Sequence, residues 1–310
     1  MSFAKTLRLL SLAIMASGAF ISCRPKPVVA PDPVPLTLSA QVMSLDYEDN
    51  SLWGKKAELG VFVTESGTSN VVGESSNVRY TAEFKTGIIA MAPSDTPIIL
   101  PEDGRRIDIA AYYPYSSELD SEYLYHVDLK NQKALDPELL LLAKVENRSS
   151  VLHTAMLTMR PAFAKMNVTL KNEAEVRSSE SKIEVRIDGI FCEADIDILN
   201  SEYVSYGSPE TTVFNGPIHA SHIYEAVVLE QDIPDDAVLT VSIPANGQSD
   251  GEEVNLPLVS LMPEFKANTQ YDVTVTVSPS GIEATLVGMS DIFVSDWKED
   301  TEDINGETNN

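Results

Sequence analysis

Cysteine is almost absent from this chain: Cys23 and Cys192 are the only two in 310 residues. Covalent staples are therefore excluded as the main source of stability, which must come from hydrophobic burial. Positive charge is scarce as well, with 22 Lys and Arg against 47 Asp and Glu. Nucleic acid demands a basic face for its phosphates, and anionic lipid does too, so both are excluded as electrostatic partners. No apolar run reaches the ~20 residues that a membrane-spanning helix needs. Catalytic signatures are missing: there is no Gly-x-Ser-x-Gly, no phosphate-cradling loop and no zinc-spaced set of Cys and His. The chain is not read as an enzyme, and neither a metal nor a cofactor is expected. His219 and His222 stand three apart in a loop-rich stretch with no helix to align them. Glu193, Asp195 and Asp197 share one strand face, where a solvated acidic surface is preferred over a Ca²⁺ site. Cys192, between Phe191 and Glu193, reads as a small half-buried hydrophobe.

What is present begins at the N-terminus. Lys5 and Arg8 precede an apolar stretch that runs from Leu9 to Ile21 and leads into Ser22-Cys23. This is the anatomy of an export signal. Cys23 is placed to take a diacylglyceryl thioether and become the new N-terminus; an ordinary cut near Ala16–Ala19 is the alternative. Loss of residues 1–22 removes two basic residues and no acidic one, leaving 20 against 47 and a net charge of −27. Five prolines between Arg24 and Pro35 deny that segment helix and sheet, so it reads as a semi-rigid tether.

Strand signals dominate the remainder. Val34, Leu36, Leu38, Ala40 and Val42 alternate with polar or proline positions, a period of two over nine residues or ~30 Å. Leu59–Thr64, Ile107–Tyr113, Tyr123–Leu129, Phe163–Leu170, Ile183–Ile187, Ala226–Leu229, Leu239–Ile243, Tyr271–Val277 and Ile282–Leu286 behave alike. Turn clusters such as Asp103-Gly104 separate them. Asp136–Leu142 allows one or two helical turns. The pattern predicts an all-β protein of two tandem antiparallel sandwiches, with the boundary in the polar stretch Glu146–Ser150. The expected divisions are 1–22 signal, 23–33 tether, 34–150 first domain, 151–298 second domain and 299–310 acidic tail.

Several phrases resemble fimbrillin-like lipoproteins, the subunits of type V pili. They are Trp53 with Glu58-Leu-Gly-Val-Phe62, Asn77-Val-Arg-Tyr80, Pro97-Ile-Ile-Leu-Pro-Glu-Asp-Gly104 and Ile107-Asp-Ile-Ala-Ala-Tyr-Tyr-Pro-Tyr115. Leu139–Ala143, Leu157–Leu170, Phe265–Tyr271 and Asp296-Trp297 continue the series in order, with Arg160, Pro161 and Ala162 departing from it. The resemblance implies transthyretin-like domains, an outer-membrane lipoprotein exposed on the cell surface or fimbrium, and polymerisation by strand exchange with other pilus subunits. Its first strand would be removed by proteolysis, and Val34–Val42 has the character of that strand. Well-known members are cut at arginine, yet none lies between Arg24 and Arg79 here. Lys55 and Lys56 are the candidate cleavage pair. Arg24-Pro-Lys-Pro27 also lacks the acidic residues that often direct such lipoproteins to the surface.

The leading expectation is thus a lipid-anchored structural and adhesive pilus subunit, with a host surface protein or glycan as a further partner. The alternative is a monomeric outer-membrane lipoprotein that binds glycan or another ligand through exposed Tyr203, Tyr206 and Phe214.

Overall fold

A computed structural model describes residues 32–42, 57–82, 88–94, 96–119, 121–132, 140–171, 183–216, 222–243, 252–278 and 281–291. Strands make up most of it, and among the described residues helix is confined to short 3-10 turns such as Leu258–Ser260. The protein is all-β. The first ten strands are β1 (Val34–Pro35), β2 (Thr37–Val42), β3 (Ala57–Glu65), β4 (Val78–Ala82), β5 (Ile89–Pro93), β6 (Ile99–Leu100), β7 (Ile107–Tyr113), β8 (Leu124–Asp128), β9 (Leu141–Arg148) and β10 (Thr154–Pro161).

Seven of these close into a barrel in the order β10-β2-β5-β4-β3-β7-β9. The pairing departs here from the wholly antiparallel expectation. β2 runs parallel to β10, with Thr37–Val42 opposite Thr154–Met159. β10 in turn pairs with β9 at Arg160↔Leu142 and Pro161↔Leu141, which brings the sheet round on itself. Closure leaves the barrel without open edges. Its interior is filled by alternate side chains, among them Leu38, Ala40, Leu59, Val61, Tyr80, Ile89 and Leu157.

The later strands are β11 (Ala164–Lys171), β12 (Glu184–Phe191), β13 (Glu193–Asp197), β14 (Glu202–Tyr206), β15 (Pro209–Val213), β16 (Ile223–Val228), β17 (Gln231–Asp232), β18 (Val238–Ile243), β19 (Glu252–Pro257), β20 (Glu264–Phe265), β21 (Thr269–Ser278) and β22 (Gly281–Asp291). Eight of them form two four-stranded sheets, β16-β11-β21-β22 and β15-β12-β18-β19, and β17 pairs with β20. Met166, Val185, Ile187, Tyr224, Leu239 and Val273 from both sheets share one core. β11 and β21 are parallel, a second departure from the antiparallel expectation.

A three-stranded sheet, β14-β13-β8, ties the two systems together. β8 belongs by sequence to the first half but pairs with β13 through Leu124–Asp128. Phe62 and Tyr112 on the outer face of the barrel pack with Ile196, Leu199, Val227 and Leu229 in a third core. The described residues from Pro33 onward belong to one compact unit. The polar stretch Glu146–Ser150 lies at the end of β9 and in the turn to β10, and both strands are barrel strands. Its polarity goes with an outward face: Glu146 and Asn147 are exposed. Of the anticipated helical turn, residues 133–139 lie outside the described residues, and Leu141 and Leu142 open β9.

Local chemistry sets these elements. Every residue of β7 is buried, because one face lines the barrel and the other meets the third core. Tyr113 accordingly joins the barrel interior and Tyr112 the outer core. Gly60 sits opposite Tyr112, and a Cβ there would stand 2.0 Å from the ring. The Tyr112 hydroxyl donates toward Asn77 Oδ1 at 2.9 Å, and burial pushes its pKa up to about 12. Asp103-Gly104 forms the expected turn, with Gly104 at φ +71°.

Candidate functional site

The strand singled out by its alternation occupies a defined seat. Leu36, Leu38 and Ala40 are 5%, 2% and 0% exposed and point into the barrel core, whereas Thr37 faces outward. Val34 precedes them on β1, paired with Leu100 of β6. The backbone of Val42 closes the parallel ladder opposite Met159. The two sides of β2 are held unequally. Among the described residues six positions pair with β10, whereas Ser39↔Ala90 and Ala40↔Ile89 pair with β5. Flanking bonds add to the β10 side and the strand entry: Thr37 N–H donates to His153 O at 2.9 Å and Leu36 N–H to Ile98 O at 2.9 Å. Gln41 Nε2 donates to Thr158 Oγ1 at 3.1 Å. Removal of β2 would thus open a slot between β10 and β5, lined by apolar side chains on the inside and by unpaired ladder groups along β10.

Other expected sites fare variously. Cys23, Lys55 and Lys56, together with Trp53, His219 and Trp297, lie outside the described residues. The aromatic surface is smaller than anticipated. Phe214 is 4% exposed and belongs to the second core, because the alternation that turns Thr212 of β15 inward continues to Phe214 just after the strand. Tyr203 is largely buried, its hydroxyl donating to Ala162 O at 2.5 Å. Tyr206 keeps 39% exposure, but its ring stacks on Tyr203 at 5.5 Å and contacts Phe191 at 5.2 Å. A flat aromatic platform of three exposed rings is therefore corrected to one exposed tyrosine edge.

The acidic strand face on β13 is engaged by its neighbours. Glu193 Oε1 meets Lys130 Nζ at 2.6 Å, and Asp197 Oδ1 accepts the Leu199 N–H at 2.8 Å. Asp195 accepts Ser205 Oγ at 2.7 Å and lies 3.0 Å from His126 Nδ1. The order Ser–Asp–His puts the carboxylate in the middle, so the imidazole is not placed to take the serine proton as a hydrolase requires. Among the described residues no cluster of three or more His, Cys, Asp or Glu is arranged to hold a metal ion. Cys192 is fully rather than half buried, 2% exposed, with Sγ 3.0 Å from Thr212 Oγ1. Burial raises the pKa of its thiol. No helix among the described residues is long and apolar enough to cross a membrane.

Sequence reasoning missed one surface altogether. At the junction between the barrel and the later sheets, Lys144 of β9 and Arg160 of β10 line a cleft with Tyr206, Glu230 and Asn268. The available signal was weak: both cations fall on outward positions of their strands, and Arg160 is a residue at which the chain departs from the phrase it otherwise resembles.

Comparison with known proteins agrees with this architecture. A cell-adhesion-assigned protein of Bacteroides uniformis superposes with a TM-score of 0.66 at 20% identity, over 83% of this chain and 98% of its own. A second protein so assigned, from Bacteroides ovatus, gives 0.61 at 14%, over 84% and 98%. A fimbrial assembly protein of Parabacteroides distasonis gives 0.50 at 11%, over 85% and 97%. At these identities the likeness is one of fold. No curated protein matches the chain. The fimbrillin-like family matches residues 46–297, most of the length, and the chain belongs to that family.

Proposed function

We propose that this protein is a lipid-anchored structural and adhesive subunit of a cell-surface fimbrium, assembled by exchange of its first strand. The observation that carries the reading is the seat of β2. It is the first barrel strand among the described residues, its apolar face fills the core, and among the described residues two of its positions pair with β5. One cut between β2 and β3, in the span that contains Lys55 and Lys56, would leave it attached by ladder bonds and side-chain packing alone. A strand from another subunit with the same alternation would restore both, since ladder bonds supply affinity and alternate pockets supply register. Cys23 would hold the precursor at the outer membrane, where two or more acyl chains give stable anchoring at ~0.8 kcal/mol per buried CH₂. The barrel and the paired four-stranded sheets are read as the two transthyretin-like domains of such a subunit.

The test is truncation. A chain beginning at Ala57 should form ladders that survive mild detergent, while the chain from residue 24 stays monomeric. A truncated chain that remains a folded monomer, or simply unfolds, would make β2 a permanent structural strand. Separately, Cys23→Ala should abolish acyl labelling and release the protein from membranes; attachment that persists would remove the anchor.

A further inference from the structure

One end of the barrel presents apolar side chains where polar ones are the rule. The parallel strands β2 and β10 begin at this end, and β9 ends there. The turn from β9 to β10 is tight: Ser149 and Leu152 form a bridge, and the Leu152 N–H donates to Ser149 O at 2.9 Å. Gly, Asn, Asp and Ser suit such a turn. Here it carries Val151, which at 82% is the most exposed large apolar side chain among the described residues, and Leu152 beside it is 47% exposed. Ile99 of β6 is 44% exposed and pairs with Pro35. Two residues after Pro35, the Thr37 N–H donates to His153 O. Ile99 and Leu152 thus flank the same short stretch of chain. Single apolar residues on a surface are ordinary, but three gathered at one end mark a contact surface.

What meets that surface follows from where the chain enters. Val34 and Pro35 lie at this end, and Val34 is eleven positions after Cys23. Those positions span at most ~40 Å, at ~3.6 Å per residue. An acyl anchor on Cys23 would therefore keep this end of the barrel close to lipid. Tethering raises the local concentration, so a contact too weak to hold a free protein becomes populated. Charge supplies no attraction. Ile107 pairs with both Glu65 and Arg148 at this end, Arg105 is taken by Glu65 and Asp103, and the carboxylate of Glu102 is exposed. The matching lipid is accordingly a zwitterionic one, met through its apolar boundary.

We infer that this barrel end is a lipid-contact surface, with Ile99, Val151 and Leu152 seated at the headgroup–acyl boundary of the leaflet that holds Cys23. This rests on acylation at Cys23, as proposed above. Its consequence is orientation. β2 ends and β3 begins at the opposite end of the barrel, because Glu65, at the close of β3, pairs with Ile107 beside the patch. The connection that a protease must cut would then leave and return on the side away from the membrane.

The experiment puts an environment-sensitive dye on the thiol of Val151→Cys, with Val204→Cys as comparator; Cys192 is buried and takes no dye. Val204 is 59% exposed on β14, where the neighbouring Tyr203 bonds Ala162 just past the far end of β10. The lipidated protein is reconstituted in phosphatidylcholine vesicles that contain spin-labelled lipid as quencher. In parallel, the chain from residue 24 is held on such vesicles by an N-terminal hexahistidine and a nickel-chelating lipid. Both preparations should show blue-shifted emission and at least threefold stronger quenching at position 151 than at position 204. Adding Ile99→Ser and Leu152→Ser should abolish the excess without moving the thermal midpoint, since both side chains are exposed. Equal quenching at the two positions, or an excess that survives the serines, would overturn the assignment. So would self-association in lipid-free solution that the serines abolish, because the patch would then belong to a second copy. Failure of Cys23 to take an acyl label would remove the anchor alone, and the tagged chain would still decide the surface.

Discussion

If β2 is held by noncovalent contacts that another strand can replace, those contacts should be unequal residue by residue. Consider a chain carrying an inserted protease site between β2 and β3, cut so that the first strand stays in place without a covalent link to the barrel. Leu38 is 2% exposed inside the barrel and Thr37 faces solvent one residue away. Trimming a buried leucine to alanine costs about 2–5 kcal/mol, because the lost transfer energy is joined by a cavity that a closed barrel can only partly collapse. A middle value of about 3 kcal/mol weakens strand retention on the order of 10²-fold, at 1.4 kcal/mol per factor of ten. Thr37→Ala, on the surface, should stay within about 0.5 kcal/mol, or roughly twofold. The assay is competition: the cut protein is mixed with a fluorescent peptide of residues 33–43, and exchange is followed by anisotropy. Leu38→Ala should release its strand far faster than wild type, and Thr37→Ala should match wild type. Equal release by both variants would mean that the core face of β2 does not hold it. A cut protein that loses its strand, stays monomeric and ignores the peptide would refute the reasoning as a whole.

Further outcomes can be checked. Gly60→Ala should destabilise the barrel by about 3 kcal/mol or more, seen as a lower urea midpoint, because its Cβ would overlap the Tyr112 ring and disturb the Asn77 bond. Asp108 is buried, which raises its pKa, but the Gly67 and Asn147 N–H groups and the Ser66 hydroxyl more than offset this and hold it below the usual carboxylate value. A depressed native pKa contributes stability that is present above the unfolded value near ~3.9 and lost as pH falls through the native one. Wild type should therefore lose stability steeply in acid, whereas Asp108→Asn should be weaker at pH 7 and show a shallower acid slope; identical slopes would discard the assignment. In the chain from residue 24, Cys192 is the sole thiol and should react with a disulfide reagent at pH 8 only after denaturant is added. Reaction in the native state would contradict its burial.

Local patterns in the sequence carried some of this and not the rest. The strand pattern of Ile107–Tyr113 gave β7 to the residue, although both of its faces prove to be covered. Clean alternation located β2 and its inward side chains. Barrel closure was invisible, because it depends on β2 meeting β10, with Gln41 and Thr158 separated by 117 positions. No local signal distinguishes a parallel partner from an antiparallel one. Phe214 was misjudged because its neighbours are polar, whereas its own orientation is set by alternation along a strand too polar to stand out. The junction cleft escaped for a similar reason: Lys144, Arg160, Glu230 and Asn268 come from four separate segments, and only the fold brings them to one cavity.

Closure also bears on how such a subunit would remain soluble before assembly. An open sheet exposes ladder groups along its edges and recruits other chains. In this barrel the edge that would belong to β10 is covered by β2, and the apolar interior is completed by Leu36, Leu38 and Ala40. Every other barrel strand is continued at both ends by further strands of the chain, β10 by the passage through Ala162 and Phe163 to β11. Extracting one of those would mean threading a loop or unfolding the sheet. β2 needs a single cut after it. The strand whose presence suppresses association is then the strand whose loss would create it, at one slot and in one register, because a shift by one residue would turn Leu36, Leu38 and Ala40 outward. A subunit built this way would need no separate device to prevent premature polymerisation; the uncut connection to β3 would be sufficient.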